Sequence, residues 1–155
     1  MTATIFDKLL FASHVLQRDM TRTFAGTPLT ESRVAVLWVL QTVGPSTQQS
    51  IAAALEVSAR NVSALVDALE RTGYVRRTAH PTDRRAVLVE LTQESTELMA
   101  GMQREHAEVS AALIAAVPPA DRAAFERGFD AVVARLSELV AGADANDAAD
   151  GGRSR

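Results

Sequence analysis

At Gly73 the hydrophobic rhythm of the chain changes, and this change restricts the possible folds more than any other feature. Upstream, Val62, Leu65, Val66 and Leu69 fall at i, i+3, i+4 and i+7, the spacing of one buried helical stripe. Downstream, "YVRRTA" (74–79) and "AVLVEL" (86–91) alternate with period two and favour β-branched residues, which predicts two strands joined by the six-residue loop "HPTDRR". Glycine suits the boundary because it can adopt the left-handed conformation that ends a helix.

The segment before this helix has its own signature. In "TQQSIAAALEVSARNVSAL" (47–65), Ile51, Leu55, Val57, Val62 and Leu65 are placed to lock two helices at a steep angle. Ala52 is small where those helices come closest, Ser46 or Thr47 caps the first and Ser58 caps the second. A helix-turn-helix that leads directly into a two-stranded hairpin is a winged helix. The expected class is therefore mainly α with a small β-hairpin wing, an α+β winged helix-turn-helix.

Longer helices flank this unit. Residues 4–24 carry an apolar face through Phe6, Leu9, Leu10, Leu16 and Met20, and "GTPLT" ends that helix. Thr30 caps a helix over 31–43 that stops at Gly44-Pro45. Thr92 caps a helix to about 117, Pro118-Pro119 break it, and a last helix runs from Asp121 to Val140 with Phe125, Phe129, Val132, Val133 and Leu136 on one face. The expected organisation is an N-terminal dimerisation helix (1–29), a winged domain (30–91), C-terminal dimerisation helices (92–141) and a disordered tail (142–155) rich in Ala, Asp and Gly. The first and last helices carry more apolar surface than a lone winged domain can cover, which points to a homodimer.

Charge sharpens the reading. The 155-residue chain has a net charge of −3, yet residues 60–85 hold six arginines and a local charge of +3, against −6 for the remainder. Lys8 is the only lysine, so nearly every cation is a guanidinium, the group that pairs bidentately with phosphate and guanine. The outer face of the second helix of the pair carries Arg60, Ser63, Ala64, Asp67 and Arg71, with Asn61 on its flank. Such a face can be simple solvated surface. Arg near a helix N-terminus can instead read guanine in the major groove of double-stranded DNA, and Asn can read adenine. Arg84 and Arg85 fall at the wing tip, where a narrow minor groove would attract them. The expected DNA contacts are Ser58, Arg60, Asn61, Ser63, Ala64, Arg84 and Arg85. Pro81 restrains the loop, and Asp83 shapes the turn or steadies an arginine.

With those residues in view, the chain resembles the MarR family of bacterial transcriptional regulators over roughly residues 5–140. The likeness rests on Leu65-Val66-Asp67-Ala68-Leu69-Glu70, Gly73-Tyr74-Val75, Asp83-Arg84-Arg85 and Val89-Glu90-Leu91-Thr92. Ser95 departs from the pattern, since many members have glycine there, and is expected to be neutral inside a capped helix. The resemblance implies an obligate homodimer whose terminal helices interlock. It also implies a wing-bracing role for Asp67: the expected partner is Arg85, which leaves Arg84 for the groove, or the two arginines exchange roles. Many such regulators bind phenolic or other small aromatic effectors. The candidate ligand residues are His14, Arg18 and Trp38, with Met20 and Arg33 nearby, and core packing is the plainer role for Trp38.

Other functions find less support. With no cysteine, disulfides, thiolate zinc sites and thiol redox sensing are excluded. No catalytic constellation is present, so no enzyme and no cofactor are expected. His106 with Glu105 or Glu108, or His14, lacks a close histidine pair on one helix, and a solvated face explains these residues better than a metal site. The N-terminus lacks a secretion signal and no run of apolar residues reaches ~18, so the expectation is a cytoplasmic protein with no membrane partner. The expected function is a repressor released by a ligand. The competing reading is a winged-helix protein-interaction module.

Overall fold

The computed structural model describes residues 3–151, with side chains to Gly142. It contains α1 (Ile5–Thr23), α2 (Glu31–Val43), β1 (Ser46–Thr47), α3 (Gln48–Leu55), α4 (Ala59–Arg71), β2 (Val75–Ala79), β3 (Val87–Leu91), α5 (Gln93–Ala115) and α6 (Arg122–Gly151). The chain divides into two compact units, residues 1–103 and 104–155, and the boundary falls inside α5.

Local chemistry starts the helices where the sequence indicates. The hydroxyls of Thr30, Thr47 and Ser58 accept the backbone N–H groups of Arg33, Ser50 and Asn61, satisfying donors that helix geometry leaves orphaned. Thr4 and Asp7 form a reciprocal capping box on α1. Bonds from the Thr4 hydroxyl and N–H hold the Asp7 carboxyl below its ordinary pKa. Thr92 caps α5 by accepting the Ser95 N–H. Glu56 ends α3 in the left-handed region at φ 54°, a conformation that costs any residue with a Cβ.

The first unit has one core. Val36, Leu37, Ile51, Val62, Val66, Leu69, Val89 and Met99 have no accessible surface, so α2, α3, α4, the sheet and the start of α5 share one apolar interior. The stripe expected on α4 faces that core, with Leu65 only partly buried. Val57 does not lock the helix pair as expected. It is 39% exposed, because the left-handed turn at Glu56 swings it outward.

The sheet has three strands, one more than the expected hairpin, in the order β1-β3-β2. Ser46 pairs with Val89 and Thr47 with Leu88, so two residues between α2 and α3 complete the sheet. So short a strand has no alternation to reveal it in a sequence. Ser46 therefore belongs to the sheet, and Thr47 alone caps α3. The wing loop spans 80–86, one residue more than expected, since Ala86 lies outside β3.

Ser95, expected to be neutral, is instead tied into the packing. It is 1% exposed, and its hydroxyl donates to the Tyr74 carbonyl while the Thr92 hydroxyl donates to that of Gly73, stitching α5 to the base of the wing. In the second unit, Phe125 and Phe129 stack with centroids 5.9 Å apart on α6. The backbone of α6 stays helical past Val140 to Gly151, consistent with the high helix propensity of its alanines. The rest of the tail expected over 142–155 lies outside the described residues. No helix among the described residues is long and apolar enough to cross a membrane.

Candidate nucleic-acid interface

The candidate interface lies on α4 and the β2–β3 hairpin, both within the first unit. Burial of Val62, Val66 and Leu69 turns the opposite side of α4 outward, and Arg60, Asn61, Ala64, Asp67 and Arg71 are exposed there. Ser63 is half-buried. Ser58 is exposed, but its hydroxyl is occupied in the cap, 3.2 Å from the Asn61 N–H. Asn61 and Ala64 also border a recess of about 500 Å³ with Leu55, Val57 and Leu65 and with Glu31, Ser32, Arg33 and Ala35 of α2.

Asp67 braces the wing, but through a different arginine from the one expected. Its carboxylate lies 2.5 Å from the guanidinium of Arg77, on β2, and Arg77 also pairs with Glu70. The Glu70 carboxylate accepts the Arg77 backbone N–H as well, at 3.1 Å. The bond from Asp67, with that from Glu70, raises the Arg77 pKa above its already high ordinary value. The pairing of Asp67 with Arg85 is thus corrected: Arg85 sits in the loop, where its N–H donates to the Asp83 carboxylate at 2.9 Å.

Strand parity supplies the physical reason, and it is the signal that could have found Arg77. Alternate side chains share a face, so Arg77 lies on the side of Val75, which is 2% exposed and faces the core beneath α4. Asp67 and Glu70, one helical turn apart, meet it there. Arg76 has the opposite parity and bonds Glu90, its direct cross-strand neighbour, at 2.6 Å.

Of the six arginines in the basic segment, two are thus consumed internally. Among the described residues, Arg60, Arg71, Arg84 and Arg85 have no ion-pair partner. Asp83 shapes the turn, accepting from Arg85 through its side chain and from the Ala86 N–H through its carbonyl. The site is a helix and a hairpin, tied together through Arg77 of β2, that present guanidinium groups with no ion-pair partner among the described residues.

The candidate ligand residues do not converge. His14 and Arg18 are exposed on α1, and Arg18 borders a shallow recess of about 230 Å³ with Val15, Asp19 and Arg22. Trp38 is half-buried and packs against the core. The Arg33 guanidinium donates to the Pro28 carbonyl. A larger groove of about 570 Å³ opens between α1 and α2, lined by Gln17, Met20, Thr21, Phe24, Leu29 and Glu31 among others, and contains none of the three. Among the described residues, no three His, Asp or Glu side chains cluster as a metal site would require.

Helix pair, clamped hairpin and closing strand define a winged helix-turn-helix protein. The MarR family model matches residues 29–87, the region just described. The regulator YwoH of Bacillus subtilis (strain 168) is 33% identical over 101 residues, 65% of this chain and 73% of that protein. YfiV of the same organism, also an HTH-type transcriptional regulator, is 30% identical over 95 residues, 61% of this chain but only 59% of its own length. In three dimensions, Streptococcus pneumoniae FabT, solved in complex with DNA, superposes with a TM-score of 0.79 at 20% identity, covering 87% of this chain and 96% of FabT. The chain belongs to the MarR family. These relatives carry the names of transcriptional regulators, a non-enzymatic class.

Proposed function

We propose that the protein is a DNA-binding transcriptional regulator that acts in the cytoplasm as a homodimer. In this reading α4 enters the major groove and the wing tip enters the adjacent minor groove. The observation that carries it is that Arg60 and Asn61 on α4 and Arg84 and Arg85 on the wing loop are all exposed, on a helix and a hairpin that Arg77 of β2 ties together. FabT, with the same fold, was solved bound to DNA. A two-fold dimer reads a pseudo-palindrome whose half-sites lie ~10 base pairs apart.

The regulator acts as a repressor that a small aromatic or phenolic effector releases. The groove between α1 and α2 falls within the volume range typical of small-molecule sites and offers Met20, Phe24 and Leu29 to a ring. His14, Arg18 and Trp38 remain candidates for its approach. A ligand that favours one spacing of the two recognition helices over another shifts DNA affinity by its differential affinity for the two states.

The deciding experiment is selection of duplexes from a random-sequence pool, followed by affinity measurement against salt. A recovered palindrome whose binding falls steeply with salt, by a slope of about −0.9 per phosphate contacted, is expected. Replacing both Arg84 and Arg85 with Ala should flatten that slope. Recovery of no common sequence would favour the protein-interaction module instead.

A further inference from the structure

The wing tip is folded around one side chain that the DNA contacts do not include. The Nδ1 atom of His80 lies 3.1 Å from the Asp83 N–H, 3.3 Å from the Thr82 N–H and 3.3 Å from the Thr82 hydroxyl. The His80 backbone N–H closes the same loop on the Ala86 carbonyl at 3.2 Å. Backbone N–H groups can only donate, so Nδ1 must be the bare, accepting nitrogen, and the ring must be neutral with its proton on Nε2. The imidazole thereby does what an Asp or Asn side chain does in an Asx turn, accepting from the backbone two and three residues on.

We propose that His80 is the positioning residue of the wing: as the neutral Nε2–H tautomer it folds residues 80–86 into the turn that holds Arg84 and Arg85 at the tip. Two links form the chain of support. His80 orders Thr82 and Asp83, and the ordered Asp83 carboxylate then accepts the Arg85 N–H. The charged groups of the loop itself are Asp83, Arg84 and Arg85, while Arg76 and Arg77 of β2 are turned to Glu90 and to α4. Neither strand pairing nor the Arg77 clamp reaches the tip, since the last register pair is Ala79 with Val87. Pro81 has no N–H to offer, so Thr82 and Asp83 supply the first backbone donors after His80.

The role in DNA binding rests on the function proposed above, so the test has one arm that needs no DNA. In the full chain, nitrogen-15 spectra of the His80 ring report which nitrogen holds the proton, and exchange of the Thr82 and Asp83 amide protons reports the turn. A bare Nδ1 with both amides protected is expected, as is loss of that protection in His80→Ala and its return in His80→Asn. In the DNA arm, with the selected duplex, His80→Ala should bind about threefold to tenfold more weakly, the worth of one or two net hydrogen bonds, and His80→Asn should recover most of that loss. A protonated Nδ1, or amides indifferent to His80→Ala, overturns the proposal, as does His80→Asn binding no better than His80→Ala. If no duplex is selected, the DNA reading fails while the ring and amide spectra still decide what His80 does.

Discussion

The winged unit and the two ends of the chain differ in how they treat apolar surface. Leu37, Ile51, Val62, Val66, Leu69 and Val89 have no accessible surface, and each is sealed by neighbours on other elements. On α1 no residue is buried, and Ile5, Phe6, Leu10, Phe11 and Leu16 are each between 55% and 70% exposed. On α6, Leu139 and Val140 are more than half exposed, and Phe125 and Phe129 nearly so. Fully burying such a side chain stabilises by about 1.5–3 kcal/mol, so these helices carry a large unused driving force. The winged unit has the core of a complete fold. The ends have the surface of half an interface, and a second copy of the same chain is the partner we propose for them.

The largest effect expected within this contrast lies in the core. Leu37→Ala should destabilise the protein by about 2–5 kcal/mol, measured by urea unfolding at fixed protein concentration, because it empties a fully buried site in the shared core. Its dimer equilibrium, read by sedimentation below the unfolding transition, should be unchanged. Phe129→Asp should do the opposite. We expect a loss of about 2 kcal/mol in dimer affinity, with the amide spectrum of the winged unit retained. If Phe129→Asp sediments like the parent, the exposed face of α6 is not an interface.

The clamp comes next. A double-mutant cycle of Asp67→Ala with Arg77→Ala should show a coupling of about 0.5–1 kcal/mol, modest because Asp67 is 59% exposed. The same cycle with Arg85→Ala should show none. A coupling to Arg85 that exceeds the one to Arg77 would restore the pairing expected from the family resemblance. The smallest effect is at the turn of the helix pair. Glu56→Gly should stabilise by up to about 1 kcal/mol, the cost of holding a Cβ at φ 54°, less the extra freedom glycine has when unfolded. A fall in thermal midpoint would show that the Glu56 side chain contributes more than its backbone costs.

Ser95 and Arg77 show where reading along the chain falls short. Ser95 occupies a position that looks interchangeable in a helix, and the approach of the Tyr74 carbonyl gives its hydroxyl a partner outside its own turn. Arg77 stands beside Arg76 with identical chemistry, and their different partners follow from which face of β2 each occupies. That parity was legible, because Val75 had to face the core. The partners on α4 were not, because they depend on how the helix crosses the strand.

What the sequence determined by itself is local. The caps at Thr30, Thr47 or Ser46, and Ser58, the α4 stripe, the change of period at Gly73 and the outward set Arg60, Asn61 and Ala64 all follow from groups within one or two turns of one another, where geometry is nearly invariant. What the tertiary structure decided is long-range: the third strand at Ser46–Thr47, the choice of Arg77 over Arg85, and the bond from Ser95 to the Tyr74 carbonyl. Those depend on which groups meet across packed elements. A two-residue strand, or one arginine among six, carries no periodic signal to say which neighbour it will find.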